Sequence, residues 1–370
     1  MNKMRVCIAP NSMGQGGIGT ALTRLSHGLL ECGLDVDFVL TAPPEKDFGR
    51  LQNLDDRVRV FRFGKRTLSS LPSIRRYLRD EQPDFVITAH NPVFVAFVLV
   101  SSTTAVGTKP RIFHQIQTHR SVDLPKKGSL GQFHDWMMRM LIRRAASVVG
   151  VSSGVARDFE CGVGLSRGSV RVIPNAIDNR SFHSSESKPH HPWFQEKSLP
   201  ILLAVGRLTE QKDYPTLLAA FARVVASTPC RLVILGSGEA ESELREKTES
   251  MGIAPNVWFV GHVADPKPFF FFSDIFVSSS AWEGMPVAHL EALAAGLPVV
   301  CTDCPSGPAE ILAGGRYGSL VPVGDSEALA DAIEGLLKSD SQAELLKQRA
   351  EDYSEVRITQ MYIDLFGEFV

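Results

Sequence analysis

Residues 275–302, IFVSSSAWEGMPVAHLEALAAGLPVVCT, read as strand, loop, helix and strand, and that order sets the architecture of the chain. The runs IFVSS and LPVVCT have strand composition, and residues 287–295 between them have that of a buried helix. Pro286 suits the first helical position, and Gly296 suits the position just past the last. The same alternation extends in both directions. Before it come ILLAVG, a helix at 215–226, RLVILG, a helix at 239–250 and VWFVG; after it comes SLVPV. Earlier still are MRVCIAP, a helix at 18–32, DVDFVL, DFVITA, RIFHQI and SVVGVS. Strands alternating with helices imply parallel sheets covered by helices. The expected fold class is therefore α/β, with two Rossmann-like parallel-sheet domains. The periodicity lapses in HSSESKPHHPWFQEKSLP (183–200), and residues 181–198 read as the connection between domains at 1–180 and 199–351. Two such domains imply a cleft, and the tail 352–370 reads as amphipathic helix.

Composition agrees with two cores. The chain has 370 residues, 44% of them hydrophobic, which exceeds what one core usually holds. The net charge of -2 conceals an asymmetry. Residues 1–180 hold 25 Lys+Arg against 15 Asp+Glu, and the remainder 14 against 26. A basic half attracts anionic headgroups, pyrophosphates or nucleic acid, or is only a solvated surface. Six scattered cysteines in apolar contexts suit a reduced, cytoplasmic protein, and the Cys301–Cys304 pair lacks the companions of a zinc or redox site. The N-terminus enters a strand at once, so no signal peptide is expected. Residues 91–108 carry no charge but are diluted by Ser, Thr and Gly, and read as a buried helix.

The chemistry concentrates around the helix that starts near 287. Its unpaired N–H groups and positive dipole end favour an anion, and Gly284 leaves them approachable. Glu283 precedes this start, and Glu291 slants back toward it from within the helix. Two acids flanking a phosphate site suit a phosphorylated ligand that carries hydroxyls. Arg207 and Lys212, in GRLTEQKD, follow the strand ILLAV and place two cations on one loop, suited to a diphosphate. Gly14, Gly16 and Gly19 match G-x-G-x-x-G, but a dinucleotide enzyme needs an acid at the end of its second strand. Asp35 and Asp37 open that strand instead. The glycines then read as a turn that approaches phosphate, or as one needed for close helix packing. Gly236 and Gly238 in LGSGE let a nucleobase lie on backbone, or serve as turn glycines. His119 follows the strand RIFHQI and can bind a hydroxyl or phosphate; His114, inside it, reads as core.

Residues 126–144, KKGSLGQFHDWMMRMLIRR, place Phe133, Trp136, Met137, Met140 and Leu141 on one helical stripe with cations near its ends. Such a stripe packs on a sheet, which is the preferred reading, or lies on an anionic membrane surface.

With these motifs in order, the chain resembles a retaining glycosyltransferase of family 4, with the GT-B fold of two Rossmann-like domains facing a central cleft. The resemblance rests on Glu283-x7-Glu291 in EGMPVAHLE, with GRLTEQKD, LGSGE, FVGHV and GGIGT. It implies that Glu283 binds donor-sugar hydroxyls, Glu291 the nucleotide ribose, and Arg207 with Lys212 the diphosphate, beside Gly284, Met285, Pro286 and Val287. It further implies that Gly16 and Gly17 approach phosphate, that His119 faces the reacting sugar, and that Gly236 and the backbone at His262 and Val263 read the base. The family's last helix returns to the first domain. The expected activity is metal-independent transfer of a hexosyl group, with no cofactor, from a nucleotide-diphosphate sugar, taken as a UDP-sugar, to a glycan or lipid-linked acceptor. Nucleic acid is not an expected partner. The expected location is the cytoplasm, peripherally on the inner membrane face. A nucleotide-sugar epimerase of the same fold and a catalytically silent sugar-nucleotide-binding subunit are the alternatives.

Overall fold

The computed structural model describes residues 3–14, 17–43, 51, 54–64, 67–104, 109–182, 187–196, 198–339 and 342–370. Among the described residues, one parallel sheet holds β1 (Arg5–Ala9), β2 (Asp35–Leu40), β3 (Arg59–Arg62), β4 (Phe85–Thr88), β5 (Arg111–Ile116), β6 (Ser147–Gly150) and β7 (Arg171–Val172), in the order β3-β2-β1-β4-β5-β6-β7. A second holds β8 (Ile201–Val205), β9 (Arg231–Leu235), β10 (Val257–Gly261), β11 (Ile275–Ser278), β12 (Val299–Thr302) and β13 (Ser319–Val321), in the order β10-β9-β8-β11-β12-β13. Central strands such as β4 and β12 are buried along their whole length, as parallel strands covered on both faces must be. The two strands that the apolar pattern passes over, β3 and β7, are short, polar and at sheet edges.

Contacts divide the chain into two units, Met1–Ala176 with Glu355–Val370, and Ile177–Ser354. The helix Glu355–Gly367 belongs to the core of the first unit. Phe366 stacks on Phe85 at 4.3 Å between ring centroids, and Tyr362 Oη accepts a hydrogen bond from Gln115 Nε2 at 2.9 Å. Gly28 faces it so closely that a Cβ there would lie 2.0 Å from Thr359 Oγ1. Asp37, at the start of the second strand, is fully buried and serves the fold. It accepts two bonds from Arg59 at 2.8 and 2.9 Å and one from Tyr77 at 2.8 Å.

Residues 181–198, read from sequence as a connection, are packed into the second unit where they are described. Phe182 is buried 6.1 Å from Phe270, Phe194 is buried 5.6 Å from Phe269, and His191 stacks on Trp258 at 3.8 Å. Three rings spaced through a polar segment suffice to anchor it without any period.

The helix Ser129–Leu141 corrects a second expectation. Its apolar stripe does not pack on the sheet. Asp135 and Met138 point inward, with Ile142 just beyond; of the stripe, Met137 and Leu141 are half-buried, while Phe133, Trp136 and Met140, with Leu130 beside them, are 48%, 58%, 67% and 64% exposed. The reason is Asp135, which pairs with Arg120 through two bonds at 2.9 and 2.5 Å and so pins the opposite face to the protein. The uncharged helix Asn91–Thr103 is buried as expected, and no described helix is long and apolar enough to cross a membrane.

Candidate active site

In the second sheet the strand order reverses between β8 and β11, since β9 and β10 lie on one side of β8 and β12 and β13 beyond β11. Neighbouring loops diverge at such a point and leave a crevice at the carboxyl ends of the strands. The loop after β8 carries Arg207 and Lys212, and the loop after β11 carries Ser279 to Pro286. They are stitched together. Ala281 N donates to Gln211 O at 2.8 Å, and Gln211 Nε2 donates to Trp282 O at 2.9 Å. Ser279 Oγ lies 2.8 Å from the carbonyls of both Lys212 and Asp213, where Asp213 holds a left-handed φ of 44°. Asp213 also caps the helix Tyr214–Ser227 through its bonds from Thr216.

Lys212 and Glu283 meet inside this arrangement. Lys212 Nζ lies 2.5 Å from Glu283 Oε1, which also accepts from Ser280 Oγ at 2.7 Å, and Gln211 Nε2 reaches Oε2 at 3.4 Å. A buried carboxylate is tolerated only when paired and hydrogen-bonded, and Glu283 has both kinds of partner. Ser280 is itself fixed, because Thr302 Oγ1 donates to its carbonyl at 2.6 Å. The stem of Lys212 lies across Gly206, where a Cβ would meet Cε at 2.9 Å. Arg207, on the same loop, is exposed.

Directly after this cluster comes the helix Val287–Ala294. Pro286 is its N-cap in extended backbone, φ -73° and ψ 109°, so the helix starts one position later than the proline suggested. Gly284, Met285, Pro286 and Val287 are buried there, and the loop at Gly307 presses on them. A Cβ on Gly307 would lie 2.6 Å from Pro286 Cδ and 3.0 Å from Gly284 O. Glu291 is buried one turn further along. Beside it His289 is also buried, with both ring nitrogens unpartnered among the described residues. Burial, then the charge of Lys212, holds its pKa down to about 3. Gly296 takes φ 73° just past the helix, as its position predicted. Cys304 is pushed up by burial and then by Glu283, and Tyr214, whose hydroxyl donates to Gly206 O at 3.1 Å, is raised by the same two causes.

The remaining expected residues are more dispersed. Gly236 has φ 134°, and a Cβ there would strike Gly206 O at 1.9 Å, so close backbone packing already requires glycine. His262 is exposed and Val263 partly buried after β10. Gly17 opens the helix Gly17–Glu31 of the first unit, and Gly16 lies outside the described residues. His119, also in the first unit, precedes the turn Arg120–Asp123, with Nδ1 3.1 Å from Ser121 Oγ and 3.4 Å from Asp158 Oδ1, contacts that orient the ring. Among the described residues no group of three His, Cys, Asp or Glu is arranged to hold a metal. Sequence reading missed Ser279, Ser280, Gln211 and Thr302. The signal was the polar run 278–280 at the end of an apolar strand.

The chain is similar to known proteins over both units. The family model described as "Glycosyl transferase 4-like domain" matches residues 16–176, and that described as "Glycosyl transferases group 1" matches residues 199–339. An uncharacterized glycosyltransferase of Methanocaldococcus jannaschii is 28% identical over 258 residues, 68% of this chain and 62% of that protein, so the match spans less than two thirds of its relative. An N-acetylgalactosamine-N,N'-diacetylbacillosaminyl-diphospho-undecaprenol 4-alpha-N-acetylgalactosaminyltransferase of Campylobacter jejuni is 26% identical over 69% of each chain. Among solved structures, Anabaena HepE in complex with UDP-glucose has a TM-score of 0.82 at 18% identity, covering 99% of this chain and 100% of that one. Two adjoining family matches, relatives of the same kind and two Rossmann-like sheets together show that the chain belongs to the group 1, family-4-type glycosyltransferases of GT-B fold.

Proposed function

We propose that the protein is a retaining, metal-independent hexosyltransferase that moves a sugar from a nucleotide-diphosphate donor, a UDP-sugar, to a glycan or lipid-linked acceptor in polysaccharide or glycoconjugate synthesis. The observation that carries this reading is the pairing of half-buried Lys212 with buried Glu283 at the switch point of the second sheet, immediately before a helix start. Loss of the diphosphate builds negative charge, and fixed positive groups stabilise it best where no reorganisation is needed. Lys212, Arg207 and the N-H groups opening the Val287–Ala294 helix supply that potential. Glu283 is assigned to the sugar hydroxyls and Glu291 to the ribose, each a carboxylate able to accept two hydroxyl bonds. Gly236, His262 and Val263 are assigned to the base, Gly16 and Gly17 to phosphate, and His119 to the reacting sugar. Retention is assigned to same-face attack, with the departing phosphate taking the acceptor's proton. UDP-glucose in the Anabaena structure and the diphospho-undecaprenol named for the Campylobacter relative support the donor and acceptor classes. An acceptor of that kind fits a cytoplasmic protein working on the inner membrane face.

Calorimetric titration with a panel of nucleotide sugars tests it. The folded Glu291→Ala variant should bind the preferred donor about tenfold more weakly, a loss of about 1.4 kcal/mol. Lys212→Ala should chiefly lower turnover. Binding of no nucleotide sugar, or unchanged affinity in Glu291→Ala, would count against the reading.

A further inference from the structure

The helix Ser129–Leu141 exposes what a helix ordinarily hides. Leu130, Phe133, Trp136 and Met140 face outward, and the rings of Phe133 and Trp136 stack 6.0 Å apart. At about 100° per residue, Phe133 and Met140 lie opposite Asp135 and Met138, which hold the helix to the protein. The orientation is locked. Asp135 is buried in its bidentate pair with Arg120, whose Nη1 also donates to Gly162 O at 3.3 Å. Turning the stripe inward would break that pair, and the buried side already packs against the helix Asn91–Thr103. A contiguous apolar surface held outward in this way marks an interaction site.

Charge selects the occupant. Lys126, Lys127, Arg139, Arg143 and Arg144 are exposed around the stripe, and the one acid within 126–144, Asp135, is buried and spent on Arg120. Arg139 and Arg143 lie along one flank of the helix, and Lys126 and Lys127 precede its start. Lys127 pairs with Asp123 at 2.6 Å, and the other four cations leave the rim net positive. Large apolar side chains inside a predominantly cationic rim complement a surface whose interior is hydrocarbon and whose face is anionic. We propose that this helix is a docking face for an anionic lipid bilayer, with Phe133, Trp136 and Met140 entering the headgroup boundary and the five cations resting on lipid phosphates. Long cationic side chains suit that position, since their stems cover apolar surface while their heads stay at the polar layer. A second copy of this chain is disfavoured as occupant, because two such faces would bring like-charged rims together. The inference stands apart from the donor reading, since vesicle binding requires neither nucleotide nor transfer.

Co-sedimentation of the full chain with vesicles of phosphatidylcholine, alone or mixed with phosphatidylglycerol, tests it. The protein should bind the phosphatidylglycerol vesicles and be released by high salt, because screening removes the attraction between exposed charges. The triple variant F133S/W136S/M140S should lower the bound fraction at least about tenfold, through lost apolar insertion. R139E/R143E/R144E should abolish the preference for anionic vesicles. Both variants should melt near the parent temperature, since the Arg120–Asp135 pair is untouched; Arg144 Nη1 reaches Ser102 Oγ at 3.4 Å, so should either triple variant melt lower, Trp136→Ser and R139E/R143E carry the same comparisons. Absence of vesicle binding, equal binding to both compositions, or binding unmoved by the apolar substitutions would overturn the proposal. So would a dimer that dissociates in the triple variant while vesicles stay unbound.

Discussion

The helices Ser129–Leu141 and Val287–Ala294 differ in which side of an apolar pattern the protein keeps. The first turns its aromatic stripe outward and buries a charge. The second is buried on nearly every side, including His289 and Glu291. Apolar spacing identifies a face, but a single anchored polar group decides where that face points. In the first helix the Arg120–Asp135 pair outweighs the aromatic stripe. In the second no exposed charge competes, so the helix sinks against β11 and β12 and offers only its start.

The largest expected effect attacks that anchor. Asp135→Ala strands Arg120 without its partner and should destabilise the protein by about 3–5 kcal/mol in denaturant titration. A loss below about 1 kcal/mol would show that the pair does not hold the helix. Leu290, fully buried in the second helix, should cost about 2–5 kcal/mol as Leu290→Ala, through the cavity it leaves. A pH comparison comes next. His289 has a folded pKa near 3 against about 6.5 unfolded, so its contribution is complete above pH 6.5 and is lost as pH falls toward 3. His289→Leu should therefore melt with a smaller drop between pH 7 and pH 4.5 than the parent, at roughly the unfolded-state titration range. Equal drops would mean that His289 charges without penalty. The smallest effect should be Met140→Ala on the exposed stripe, within about 0.5 kcal/mol of the parent. A larger loss would show that the stripe is packed after all.

Most of the fold was legible because buried parallel strands announce themselves as unbroken apolar runs. The exceptions follow the same logic. The edge strands RVFR and RV have solvent on one side and need no such run. Phe182, His191 and Phe194 anchor residues 181–198 through isolated side chains, which leave no period to read. In the candidate site, Glu283, Glu291, Arg207 and Lys212 stood out as charges beside glycines and a helix start. Ser279, Ser280, Gln211 and Thr302 did not, because their importance is relational. Each matters through the group it holds, and hydroxyls and amides occur widely in loops. Gly236 was noticed, yet its immediate demand comes from Gly206 O across the loop. The orientation of Ser129–Leu141 was misread because the partner of Asp135 lies 15 positions earlier in the chain.

The helix Glu355–Gly367 completes the core that β1 begins, with Phe366 on Phe85 and Thr359 against Gly28. Synthesis makes β1 long before it makes this helix. While the chain is tethered to the ribosome, its earliest strands wait for their last cover, and the second unit has every residue it needs first. Nascent first units therefore present apolar strand surface while residues 177–354 are made, an interval in which a chaperone has most to do. A premature stop anywhere in the final helix would spare the second unit and leave the first without its lid of aromatic rings.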